Sequence, residues 1–265
     1  MSTIRDPAVA GLFYTANPQQ LRQEIHQYLA AVPEDLAEQP PKALIAPHAG
    51  YIYSGPIAAT AYAQLYPIKD QIHRVVLLGP SHRVPFRGLA SSSATHFKTP
   101  LGTIELDRKS IDDLNDLPQV HVLNEAHIME HSLEVHLPFL QEVLNNFKLI
   151  PLVVGDARPE EVAEVLERLW GGSETLIVVS SDLSHYHGYA TAKQLDTDTS
   201  AAIESLQYQR LHSENACGCV PVSGLLLLAQ RKGLQGHILD LRNSGDTAGT
   251  KDRVVGYGAY SFTEN

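Results

Sequence analysis

The 265 residues suffice for one large α/β domain or two small ones, and 43% hydrophobic against 19% charged residues is ordinary for a globular chain. A formal net charge of -10 argues against general binding to nucleic-acid backbones or anionic membranes, while leaving room for a local basic pocket. MSTIRDPAVAGLFY at the start lacks the basic-then-apolar order of a secretory signal. No apolar run reaches the ~18 residues of a membrane span, the longest candidate being VPVSGLLLLAQ. Cys217 and Cys219, one glycine apart, are poor disulfide partners, so a cytoplasmic location is expected.

In chain order, NPQQLRQEIHQYLAAV reads as a helix, with Asn17 as N-cap, Pro18 in the first turn and a stripe of Leu21, Ile25 and Leu29. His26 beside that stripe reads as a surface or boundary residue rather than a ligand. PEDLAEQPPK is a polar connection. ALIAP is a buried strand, SGPIAATAYAQLY the helix after it, and VVLLG the next strand. From Arg87 to about Val122 the periodicity weakens, with short β-like pieces such as GTIEL. EHSLEVHLPFLQEVLNN is expected to be helical, KLIPLVVG a strand and ARPEEVAEVLERLW a helix with Glu160 and Glu161 near its positive end. TLIVVSS is a strand, TAKQLDTDTSAAIESL a polar-faced helix and PVSGLLLLAQRKG a buried helix ending at Gly233. GHILDLR and RVVGYGAYSF close the chain as strands. This alternation, unbroken by repeats or low complexity, implies one three-layer α/β domain over residues 1–265.

Histidines follow three of the apolar runs: His48 after ALIAP, His82 after VVLLGPS, and His185 and His187 after TLIVVSSDLS with Asp182. Open α/β sheets bind ligands outside the carboxyl ends of their strands, so these residues are candidates for one metal or acid/base site. Asp182 lies three residues before His185. On a helical turn it would orient that imidazole, and it could equally serve as an N-cap. His187 reads as peripheral. In EHSLEVH, Glu130 and Glu134 would share a helical face, either functional or a solvated acidic face, while His131 and His136 diverge and His131 is the one favoured for a shared site. Cys217 and Cys219 sit in a glycine turn before a helix, as ligands, a nucleophile or small buried hydrophobes. Asp246, in a glycine-punctuated loop, reads as a turn residue, with lining of the pocket as the alternative.

Taken together, RDPAVAGLFY, APHAGYIYSG, GPSH, EHSLEVHLPFL, SSDLSHY, ACG followed by a proline, and NSGDTAG leading to VVGYGAY resemble the Memo family (mediator of cell motility) from about Arg5 to Phe262. The resemblance implies a fold like the class III extradiol dioxygenases, a three-layer sandwich with a mixed, largely parallel central sheet. It implies a mononuclear metal, iron(II) or copper with zinc as an alternative, held by His48, His82 and Cys217. Asp182 and His185 would then line the cavity as catalytic residues, with Cys217 rather than Cys219 as the sulfur ligand. This chain departs from the family by carrying Cys219 and Val220 where a basic residue often stands, and Ser184 where some relatives have cysteine. Replacing the dioxygenases' glutamate by a thiolate softens the site, so fold resemblance alone does not license a dioxygenase. The expected function is a metal-dependent oxidoreductase acting on a small-molecule or peptide substrate. The alternatives are a peptide- or protein-binding module and a Cys217-nucleophile hydrolase or transferase. Microbial relatives often occur beside a radical-SAM protein, which implies a shared modification pathway. Neither nucleic acid nor membrane is an expected partner.

Overall fold

The structure, a computed structural model, describes residues 3–33 and 39–264. Part of the PEDLAEQPPK connection therefore lies outside the described residues. The strands are β1 (Ile4–Arg5), β2 (Ala43–Ala46), β3 (Arg74–Pro80), β4 (Leu89–Ser91), β5 (His96–Thr99), β6 (Gly102–Glu105), β7 (Val120–Val122), β8 (Lys148–Val154), β9 (Thr175–Ser180), β10 (His185–His187), β11 (Gln235–Asn243) and β12 (Val254–Thr263). The helices are α1 (Pro18–Ala30), α2 (Tyr51–Ala63), α3 (Arg108–Asp112), α4 (Glu125–Ile128), α5 (Leu137–Val143), α6 (Pro159–Arg168), α7 (Tyr189–Glu204) and α8 (Cys219–Lys232).

Nine strands form the main sheet in the order β10-β12-β2-β9-β3-β8-β4-β7, with β11 paired to the outer side of β12. Its centre, β2-β9-β3-β8, is parallel, and β12 and β4 join it antiparallel. Every residue of β2 and β9 is buried, and β3 is buried after Arg74. Such unbroken apolar runs are what a parallel sheet covered on both faces requires. The crossovers β2→β3 and β8→β9 run in opposite directions across the sheet. Right-handed connections therefore put α2 and α6 on opposite faces. Helix α2 packs with α1 and α5, and α6 with α8, which completes a three-layer α/β architecture. A small sheet, β1-β5-β6, stands apart.

Local signals are met where backbone chemistry is simple. Asn17 Oδ1 accepts the N–H groups of Gln19 and Gln20 at 3.0 and 3.1 Å, and Leu21, Ile25 and Leu29 are buried. Gly233 ends α8 at φ +70°. At the amino ends of β2 and β9, the buried Lys42 donates to the carbonyls of Trp170, Gly172 and Thr175 at 2.7, 2.7 and 2.8 Å. Three N–H donors meet three acceptors, which satisfies an ammonium taken out of water.

The expected long helix from Glu130 is absent. Residues 130–133 form an irregular turn, Glu134–His136 a single 3₁₀ turn, and α5 starts only at Leu137, with Pro138 in its first turn. Pro138 has no N–H to offer the Glu134 carbonyl, and the two glutamates bind backbone and side chains outside a helical pattern. Glu130 Oε1 takes the N–H groups of His131 and Ser132 at 3.0 and 2.9 Å. Glu134 takes the N–H groups of Ala8 and Val9 at 2.7 and 2.9 Å and the Tyr14 hydroxyl at 2.6 Å, and pairs with Arg5. Both glutamates are buried, so the solvated acidic face is also corrected.

Candidate metal centre

Strand β9 lies between β2 and β3, all three parallel, so their carboxyl ends share one edge. His48, His82 and Asp182 each stand two residues past the end of their strand. Into the same edge comes the Glu130–Leu133 turn, bonded to it by Ser132 Oγ donating to the Pro80 carbonyl at 2.8 Å. Among the described residues, the His, Cys, Asp and Glu side chains whose ligand atoms all lie within 4.8 Å of one another are His48, His82 and His131. The His82 and His131 rings stack at 4.7 Å, and His48 meets them edge-on at 5.1 and 5.5 Å. His48 is buried, His131 intermediate and His82 exposed, so the group opens outward on the His82 side.

Hydrogen bonding fixes which nitrogens are free. Ser180 Oγ donates its proton to the Ser132 carbonyl at 2.6 Å, so it accepts from His48 Nδ1 at 2.5 Å. The Glu130 carboxylate, an acceptor only, takes His82 Nδ1–H at 2.8 Å and the His82 backbone N–H at 2.6 Å. Both imidazoles therefore carry a proton on Nδ1 and are anchored there, which leaves Nε2 as the nitrogen available to a metal. His131 Nδ1 is buried without a hydrogen bond, 3.5 Å from Glu130 Oε1.

Burial keeps the His48 and His131 rings neutral. Burial, then the neighbouring imidazoles, push His48 well below its ordinary value. Burial and His82 bring His131 down to about 4. Burial opposes the charge on Glu130, yet the bonds from the His82 side chain and from backbone N–H groups hold its carboxyl down at about 2. Neutral imidazoles beside an ionised anchor are the protonation states a cation needs.

Cys217 lies outside the three-histidine group but touches it, with Sγ 3.4 Å from His48 Nε2. The Asp182 N–H donates to that sulfur at 3.3 Å, and the Cys217 N–H returns to the Asp182 carbonyl at 3.2 Å. Gly218 allows this approach, since a Cβ there would sit 2.6 Å from the Ser181 Cβ. Burial, then the Asp182 charge, push the Cys217 thiol up. Without a cation the sulfur is a thiol, which disfavours a thiolate nucleophile.

Asp182 does not orient His185. Residues 181–184 form no helical turn, because the Leu183 N–H is taken by the Gly256 carbonyl at 2.8 Å and the Ser184 N–H by Asp196 Oδ1 at 3.0 Å. Asp182 Oδ1 instead accepts the His48 backbone N–H at 2.7 Å, and burial pushes its carboxyl up to about 7. His185 Nδ1 donates to the Leu183 carbonyl at 2.8 Å, leaving Nε2 as an acceptor. Burial, with a smaller contribution from His82, lowers it.

His136 bonds the Tyr62 hydroxyl at 2.7 Å, and Asp246 caps a turn by accepting the Asn243 N–H at 3.0 Å. Sequence reasoning missed the supports: Ser180, Ser132, Glu130 as an anchor, and Arg5. The Arg5 guanidinium pairs with Glu134 and donates to the His127 and Glu130 carbonyls at 3.0 and 2.6 Å. A weak signal existed in Glu130 standing next to His131.

The family model described as Memo-like protein matches residues 5–261. A MEMO1 family protein of Sulfolobus acidocaldarius is 35% identical, the alignment covering 98% of this chain and 99% of that one. Another, from Aquifex aeolicus, is 35% identical over 96% and 97%. The crystal structure of uncharacterized protein JW3007 from Escherichia coli K12 superposes with a TM-score of 0.51 at 13% identity, covering 81% of this chain and 98% of the other, a likeness of fold. With a match from residue 5 to residue 261 and relatives this similar over their whole length, the chain belongs to the Memo family.

Proposed function

We propose that this protein holds a mononuclear metal, iron(II) or copper with zinc as the alternative, and works as a metal-dependent oxidoreductase. The observation that carries the reading is the pair of anchored Nδ1–H groups. They leave the Nε2 lone pairs of His48 and His82 for a cation, with the Cys217 sulfur against one of them. His48, His82 and Cys217 would hold the ion, with the His131 ring beside them. Two imidazoles and a sulfur are a borderline-soft donor set, suited to all three metals. When bound, the metal would supply electron transfer and activation of dioxygen or substrate.

The chain's own residues supply the rest. His185, neutral and with Nε2 unprotonated, accepts a proton from substrate. Asp182 fixes the His48 backbone, and its N–H steadies negative charge on sulfur. Metal analysis of untagged protein prepared without oxygen tests this. About one ion per chain is expected, lost in His48→Ala and His82→Ala, and full folding with no metal in any preparation would overturn it.

A second reading, a peptide- or protein-binding module, is favoured by the exposed side chains of Ile52, Ile128 and Met129, on segments that flank His48 and His131. Partner binding undiminished in Cys217→Ser would support it.

A further inference from the structure

A cavity of about 200 Å³ opens between α7, which contributes Lys193, Asp196 and Thr197, and the end of β11, which contributes Leu241, Arg242 and Asn243. None of its lining residues belongs to the histidine group. Drug-sized ligands occupy about 300–1,000 Å³, so this space suits a molecule of only a few heavy atoms.

The charges around this cavity do not balance. Asp196 is only 2% exposed. Its Oδ1 accepts the Ser184 N–H at 3.0 Å, while the buried Oδ2 has no hydrogen-bond partner among the described residues. Asp246 also lines the cavity, and its oxygens accept the Tyr189 hydroxyl at 2.6 Å and the Asn243 N–H at 3.0 Å. All of these donors are neutral, and neither carboxylate makes an ion pair among the described residues. The nearby cations are held elsewhere or lie at the rim. Arg242 is paired with Asp240, the Lys251 ammonium stands 4.6 Å from the Tyr189 ring centroid, and Lys193 is exposed. Burial pushes the Asp196 carboxyl up to about 6, so it is ionised at neutral pH. A buried carboxylate oxygen without a donor is unfavourable, and a cation bearing N–H groups relieves it.

We propose that this cavity binds the ammonium group of a small primary amine, with Asp196 as its counter-charge, at a site separate from the metal centre. A primary ammonium brings three N–H donors in a compact head. The Thr197 hydroxyl, which itself donates to the Lys193 carbonyl at 2.7 Å, and the Asp246 carboxylate supply further acceptors. Leu241 gives a short alkyl tail an apolar wall. A calcium ion is a poorer match, since it takes about six to eight oxygen ligands and the oxygens here are partly spent on N–H and O–H donors. Asp196 also holds the Ser184 N–H, so one carboxylate joins the occupant to the loop between Asp182 and His185.

The test is calorimetric titration of the full chain, metal-loaded and metal-free, with ethylammonium chloride, and with tetramethylammonium chloride at equal ionic strength as the control. One ethylammonium per chain is expected to bind in the millimolar range, with or without metal. Tetramethylammonium, which has no N–H, should bind about tenfold more weakly or not at all. Asp196→Asn should weaken ethylammonium about tenfold, and Lys193→Gln, which removes a like charge from the rim, should tighten it about twofold. Between about pH 5 and pH 7 the affinity should rise about tenfold as Asp196 ionises. His187 and Tyr260 also face Asp196, and His187→Gln should leave that rise in place. Circular dichroism checks the fold of each variant, and should Asp196→Asn not fold, Lys193→Gln and the pH dependence decide. The proposal falls if ethylammonium does not bind in the millimolar range, if tetramethylammonium binds as well, or if a folded Asp196→Asn binds unchanged. It falls equally if Lys193→Gln weakens binding or if the affinity does not rise with pH.

Discussion

His48 and His131 reach one another from differently built ground. His48 extends from a fully buried strand whose ladder bonds hold the backbone, and it needs only Ser180 to set its ring. His131 rides on a turn with no ladder of its own, held by two buried carboxylates: Glu130 takes the N–H groups of His131 and Ser132, and Glu134 ties the turn to the N–H groups of Ala8 and Val9. A strand end is stiff because the whole sheet must move with it. The turn is stiff only while each of a few polar bonds is made, so its tolerance to substitution should be far lower per residue.

The largest effect is expected from Glu134→Ala. It strands the Arg5 charge and leaves two backbone donors and the Tyr14 hydroxyl unpaired, a loss of about 3–5 kcal/mol in denaturant unfolding. Gly79→Ala attacks the seam between turn and strand, since a Cβ there would lie 2.8 Å from Ser132 Oγ and 2.9 Å from Leu133 Cδ2. About 1–3 kcal/mol of destabilisation is expected, with metal binding weakened beyond the loss of stability.

Asp196 gives the pH test. It pins the Ser184 N–H, and burial pushes its carboxyl up to about 6. The folded chain therefore keeps a proton that the unfolded chain, titrating near 3.9, has already lost. This group's contribution is most favourable below that pH and declines as pH rises through about 6. Asp196→Asn should flatten the decline by about 1–3 kcal/mol, read from unfolding midpoints across that window. An unchanged profile would show that Asp196 is ionised when folded. Ser180→Ala is the mildest for stability, at about 1 kcal/mol, because the strand ladder survives. It frees the His48 tautomer, and metal affinity should drop about tenfold.

This contrast also explains what the sequence revealed. His48, His82 and Asp182 were legible because apolar runs mark strands, and parallel neighbours must end on a common edge. The Glu130 turn was not, because its apolar spacing matches a helix and only distant partners show where its donors go. Asp182 illustrates the same limit. Its spacing to His185 suggested a local pair, but the nearer acceptor demand came from His48, 134 residues away in sequence. Arg5 gave no local sign of its reach to Glu130 and Glu134.

Lys42, at the opposite end of the sheet from the histidines, offers one more use. Its ammonium has every hydrogen engaged by a carbonyl, and burial lowers its basicity. An amine-reactive reagent can therefore acylate it only when β2 and β9 part at their amino ends. The labelling rate of this single lysine, followed by peptide mass mapping, becomes a clock for opening of the sheet, read without touching the metal site.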